Sequence, residues 1–95
     1  MNGETSEPIT QFVFTSHARE EMERRGLDEK TIRWVLSAPE QRIAVRAGRD
    51  VLQSRIEMAD KRYLVRVFVD VDRTPAEIIT AYRTSRIERY WRSEP

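Results

Sequence analysis

Arg62-Tyr63-Leu64-Val65-Arg66-Val67-Phe68-Val69 is an almost continuously apolar run of β-branched and aromatic residues, the pattern of a central strand. Upstream the period is two. Ile43 and Val45 alternate with Arg42 and Arg46, and after Gly48-Arg49-Asp50 the residues Leu52, Ile56 and Met58 alternate with Gln53, Arg55 and Glu57. Downstream, Asp72-Arg73-Thr74-Pro75 turns the chain into Glu77-Ile78-Ile79-Thr80-Ala81-Tyr82, a fourth strand. The region before Gln41 is helical in pattern. Thr15 or Ser16 caps a helix that runs to about Arg25 and stops at Gly26, with Ala18 and Met22 as its inward stripe. Asp28 caps a second helix through Leu36, with Ile32, Val35 and Leu36 on one face and Ala38-Pro39 at its end. Gln11-Phe12-Val13-Phe14 has the character of a short strand or an extended arm. Thr84 or Ser85 caps a short helix over Arg86–Arg92. The order predicts an α+β domain: an N-terminal helical hairpin packed on a four-stranded antiparallel sheet, with a short C-terminal helix. Residues 1–8 read as a disordered leader and residues 9–95 as a single domain.

A chain of 95 residues holds one modest core, and its 35% charged residues confine the apolar ones to a few faces. With no cysteine, disulfides, zinc ribbons and thiol nucleophiles are excluded. No run approaches a membrane span, and Met1-Asn2-Gly3-Glu4 lacks the pattern of a signal peptide, so the expected location is the cytoplasm. One histidine and acidic pairs such as Asp70/Asp72 lack the spacing of a metal site, and three scattered glycines make no phosphate loop; neither metal nor cofactor is expected. The net charge of +1 hides an asymmetry. Residues 1–41 hold 5 basic and 8 acidic side chains, whereas residues 42–92 hold 12 basic and 7 acidic. Fifteen of the 17 basic residues are arginine, whose planar guanidinium forks onto phosphate or carboxylate and stacks on aromatic faces.

Two features carry candidate chemistry. His17, the sole histidine, falls in the first turn of the first helix, with Glu20, Glu21 and Arg24 as its neighbours at i+3, i+4 and i+7. The C-terminal run Thr80-Ala81-Tyr82-Arg83-Thr84-Ser85-Arg86-Ile87-Glu88-Arg89-Tyr90-Trp91 interleaves guanidiniums with aromatic rings. Arg83 and Arg86 suit phosphate contact, with Tyr82 or Tyr90 as a hydroxyl or a stacking ring. Arg46, Arg55, Arg62 and Arg66 lie on strands, where they either form solvated pairs with Glu57 or Asp70 or make an open basic face. Trp34, Trp91, Tyr63 and Phe68 suit a core or a partner interface.

The strings Phe14-Thr15-Ser16-His17-Ala18-Arg19, Met22-Glu23-Arg24-Arg25-Gly26-Leu27, Val35-Leu36-Ser37-Ala38-Pro39-Glu40 and Ile78-Ile79-Thr80-Ala81-Tyr82-Arg83-Thr84-Ser85-Arg86-Ile87-Glu88-Arg89-Tyr90-Trp91 resemble the small prokaryotic family catalogued as domain of unknown function 4258. The layout of that family resembles the RelE-like toxin fold, which is shared with metal-independent endoribonucleases, and this kinship implies RNA as the ligand. Such cleavage needs a base for the ribose 2′-hydroxyl, an acid for the leaving 5′-oxygen and cations for the transition-state charge. The corresponding expectation is a toxin-type ribonuclease with His17, Arg83, Arg86 and Tyr82 as its catalytic set and Arg46, Arg55, Arg66 and Arg89 on RNA. A second expectation is an RNA- or DNA-binding module that does not cleave. A third is a protein-interaction module, either paired with a cognate antitoxin or a homodimer through Phe12, Phe14 or Trp91. The catalytic reading requires the first turn of the first helix to meet the end of the last strand.

Overall fold

The computed structural model describes residues 4–93. Strands β1 (Glu4–Thr5) and β2 (Phe12–Phe14) precede helices α1 (Ser16–Arg24) and α2 (Glu29–Ser37). Strands β3 (Gln41–Arg46), β4 (Arg49–Met58), β5 (Lys61–Asp70) and β6 (Ala76–Thr84) follow, and α3 (Ile87–Tyr90) closes the order. No helix is long and apolar enough to cross a membrane among the described residues.

The four expected strands form the antiparallel meander β3-β4-β5-β6, and β5 lies between β4 and β6 as its apolar run demands. The sheet is wider than four strands. It runs β1-β3-β4-β5-β6-β2, with the two-residue β1 antiparallel to β3 and β2 parallel to β6, Phe12 opposite Ala76 and Phe14 opposite Ile78. The expectation of four antiparallel strands is corrected at both edges. Three residues of β2 show no period of their own, and their partner lies more than sixty positions along the chain. Residues 1–3 of the expected leader lie outside the described residues, while Glu4 and Thr5 pair with Ile43 and Arg42.

Thr15 is the cap of α1: its Oγ1 accepts from the Ala18 N–H at 3.0 Å and donates to the Ile78 carbonyl at 3.0 Å, so one side chain starts the helix and ties it to β6. Asp28 caps α2 through the Thr31 N–H at 2.8 Å. The helices do not pack as a hairpin against each other. α1 lies along β6 and α2 over β4 and β5, and the Arg19–Glu29 ion pair at 3.0 Å links them across the gap. The physical reason is the narrow apolar stripe of each helix: Ala18 and Met22 on α1, and Ile32, Val35 and Leu36 on α2, are consumed by the sheet.

The core lies between these helices and one sheet face, where Leu52, Val65, Val67, Val69, Ile78 and Ala81 are buried. The alternate residues point to the other face, which carries Gln41 and Ile43, then Val51 and Gln53, then Leu64, Arg66 and Phe68, then Tyr82. That second face is covered in part by α3 and the residues after it.

Candidate anion cleft on the second sheet face

Arg66 sits at the centre of β5 on this face, and its guanidinium is held by neutral acceptors. Nε donates to Gln53 Oε1 at 2.8 Å and Nη1 to the Tyr82 hydroxyl at 2.7 Å. The guanidinium lies over the Tyr90 ring at 4.4 Å, with Phe68 at 5.3 Å. No carboxylate neutralises it among the described residues. Two of its five N–H donors are spent on these side chains, so it retains both charge and donors toward solvent.

The C-terminal segment is pinned above Arg66 by two buried glutamines that face each other across β3 and β4. Gln53, with no exposed surface, donates from Nε2 to Gln41 Oε1 at 2.8 Å and to the Tyr90 carbonyl at 3.1 Å. Gln41 donates from Nε2 to the Arg92 carbonyl at 2.7 Å, and its Oε1 accepts from the Arg92 N–H at 3.1 Å. The backbone of residues 90–92 is therefore fixed, and Arg89 and Arg92 line the same cleft as Arg66. Together they line a cleft of about 350 Å3, walled by Ile43, Val45, Val51 and Tyr90. That volume is within the range of small-ligand sites, about 300–1,000 Å3. Three arginines and no acidic residue line the cleft.

Most other arginines are already matched. Arg19, Arg24, Arg25, Arg33, Arg42, Arg49, Arg55 and Arg73 each make an ion pair with a carboxylate. Arg49 holds the Asp70 carboxyl below its ordinary range through a 2.6 Å hydrogen bond, and Arg55 does the same to Glu40. Exposed pairs of this kind add little to stability, and they offset the charge that a ligand would meet.

The expected catalytic set is dispersed. His17 is exposed in the first turn of α1. Arg83 lies on the helix-bearing face at the opposite end of α1, over the Tyr63 ring at 4.9 Å, and its Nη2 would lie 3.7 Å from a Cβ at Gly26. Seven steps of α1 separate His17 from Arg24, the last residue of the helix, a rise of roughly 10 Å at about 1.5 Å each. Tyr82 points to the opposite face, toward Arg66, and Arg86 is exposed just before α3. Glu21, one turn after His17, is buried and committed to Arg24 and Arg25; burial pushes its carboxyl up, but the two guanidiniums and the nearby His17 bring it below the ordinary value.

Of the arginines expected on RNA, Arg66 and Arg89 meet in the cleft. Arg55 is stacked on Trp91 at 3.9 Å and paired with Glu40, in an adjoining cleft that shares Arg92. Arg46 is exposed at the β3–β4 hairpin, where its charge acts on Asp70. Sequence reasoning misses Gln41, Gln53 and Arg92. The two glutamines share a sheet face with the apolar Ile43 and Val51 at alternate positions, and that is the signal by which they could be found.

The family model for the domain of unknown function (DUF4258) matches residues 14–83, and the chain belongs to that family. The match spans α1 and nearly all of β6 and ends before α3, so Arg89 and Arg92 lie beyond it. No curated protein and no solved structure matches the chain.

Proposed function

We propose that this domain binds RNA, holding the phosphate backbone in the cleft formed by Arg66, Arg89 and Arg92. The observation that carries this reading is that three arginines and no acidic residue line one cleft. Unneutralised arginines beside an aromatic ring fit a phosphate and a stacked base. The resemblance of the family layout to the RelE-like fold supports RNA over other polyanions. Binding is favoured over His17-dependent cleavage because His17 and Arg83 occupy opposite ends of α1.

The test is binding of a labelled single-stranded RNA oligonucleotide, measured by anisotropy across a salt series. The double variant Arg89→Ala/Arg92→Ala is expected to bind at least about tenfold more weakly, with the salt slope reduced by about 0.7 for each phosphate that is no longer neutralised. His17→Ala is expected to bind as the parent does. Unchanged affinity in the double variant would sink the proposal, and His17-dependent cleavage of the oligonucleotide would replace binding with catalysis.

A further inference from the structure

The helix-bearing face is only partly covered at the end of the sheet near Gly26, where Ile56, Met58 and Tyr63 are half-buried. Trp34 on α2 is 62% exposed, more than Val13 or Val45. It lines an apolar cleft of about 260 Å3 together with Lys30, Thr31 and Ile56. Ile56 lies opposite Tyr63 in the β4–β5 register. Arg83 covers the Tyr63 ring and reaches Met58 Sδ at 3.7 Å, and the Lys61 ammonium lies 5.8 Å from the centre of the same ring. An apolar strip thus runs from Trp34 through Ile56 to Met58 and Tyr63, rimmed by Lys30, Lys61 and Arg83.

None of these three cations makes an ion pair among the described residues. Asp28, two residues before Lys30, is engaged in capping α2, and Asp60 precedes Lys61 in the β4–β5 turn. Exposed tryptophan is a frequent anchor of protein interfaces, and apolar patches with a charged rim mark contact surfaces. The sign of the rim selects the partner. We propose that this strip docks an acidic amphipathic segment of a partner protein, which packs a large apolar side chain beside Trp34 and sets carboxylates against Lys30, Lys61 and Arg83. The strip and the arginine cleft lie on opposite faces of the sheet, so occupation of one leaves the other open.

The probe is a labelled synthetic peptide of roughly 18 residues, long enough for a stable helix, with leucines and a phenylalanine on one face and glutamates on the other. Anisotropy titration of the full chain is expected to show binding that Trp34→Ala weakens at least about tenfold and that Lys30→Glu/Arg83→Glu abolishes. A matching peptide with lysines in place of the glutamates is expected not to bind. Trp34→Ala is expected to keep the thermal transition and the RNA affinity of the parent, because the indole is exposed and remote from the arginine cleft. Failure of the glutamate peptide to bind, equal binding of the lysine peptide, or indifference to Trp34→Ala overturns the proposal. So does a dimer of the free chain that Trp34→Ala dissociates, since a second copy would then be the occupant.

Discussion

Gln53 occupies a position that a strand buried on both faces would normally give to valine or leucine. Its amide serves three partners at once: Gln41, the Tyr90 carbonyl and Arg66. A buried polar side chain is tolerated when it is satisfied, and removing it leaves the partners with the cost. Gln53→Leu is expected to destabilise the fold by about 2 kcal/mol, read from urea denaturation, because the Gln41 oxygen and the Tyr90 carbonyl each lose a donor. The same variant is expected to weaken RNA binding without any loss of cationic charge, since the segment bearing Arg89 and Arg92 is no longer held. A variant that keeps full stability and affinity would show that the glutamine pair is dispensable. At this scale the sequence is half legible. Arg66 and Arg89 are recognisable as arginines near aromatic residues, but nothing in the sequence separates them from Arg49 or Arg55, whose charge is spent on Asp70 and Glu40.

The starts and stops of α1 and α2 are set by local chemistry and are legible in the chain, whereas α3 spans only Ile87–Tyr90 of the expected 86–92 and begins after Arg86 with no side-chain cap from Thr84 or Ser85. α1 begins one residue after Thr15, α2 one residue after Asp28, and Gly26 takes φ +69° between them. Thr15→Ala is expected to cost about 1–2 kcal/mol in thermal or chemical denaturation, because the hydroxyl both caps α1 and donates to the Ile78 carbonyl. Gly48 shows the same logic in the β3–β4 turn. Its φ of +82° is strained for any L side chain, and a Cβ there would lie 2.6 Å from Asp72 Oδ2. Gly48→Ala is expected to lower stability by roughly 1–2 kcal/mol, measured in the same way. The short edge strand β2 is the least legible element. Phe12-Val13-Phe14 has strand character, but its pairing with β6, and the parallel sense of that pairing, depend on a segment at the far end of the chain.

The molecule as a whole is built on matched carboxylates and guanidiniums, and this makes its stability depend on pH in a defined direction. Asp70 and Glu40 are held below their ordinary values chiefly by hydrogen bonds from Arg49 and Arg55, and Glu29 chiefly by those from Arg33 and Arg19. A carboxyl whose folded value is depressed contributes stability above its unfolded value and loses it as the pH falls through the folded one. With ordinary values of 4.5 for Glu and 3.8 for Asp, the melting temperature is expected to be level from neutral pH to about pH 5 and to fall below about pH 4.5. Asp70→Asn is expected to lower the neutral-pH melting temperature and to make the acid fall shallower. An acid limb as steep in Asp70→Asn as in the parent would remove the Arg49–Asp70 pair from this account.

The sequence by itself determined the mixed α+β class, the two capped helices, the four-stranded meander and the resemblance to the family. Caps, turn residues and the periods of about 3.6 and 2 are local properties, encoded within a few positions of where they act. Tertiary structure alone decided which arginines are free and which face each occupies. Pairing of Arg49 with Asp70 depends on strand register, and the meeting of Arg66 with Arg89 and Arg92 depends on two glutamines anchoring the chain's end across the sheet. In one dimension the histidine and the arginine-rich run read as a shared site. In three dimensions the length of α1 holds His17 apart from Arg83, and strand alternation turns Arg83 and Tyr82 to opposite faces.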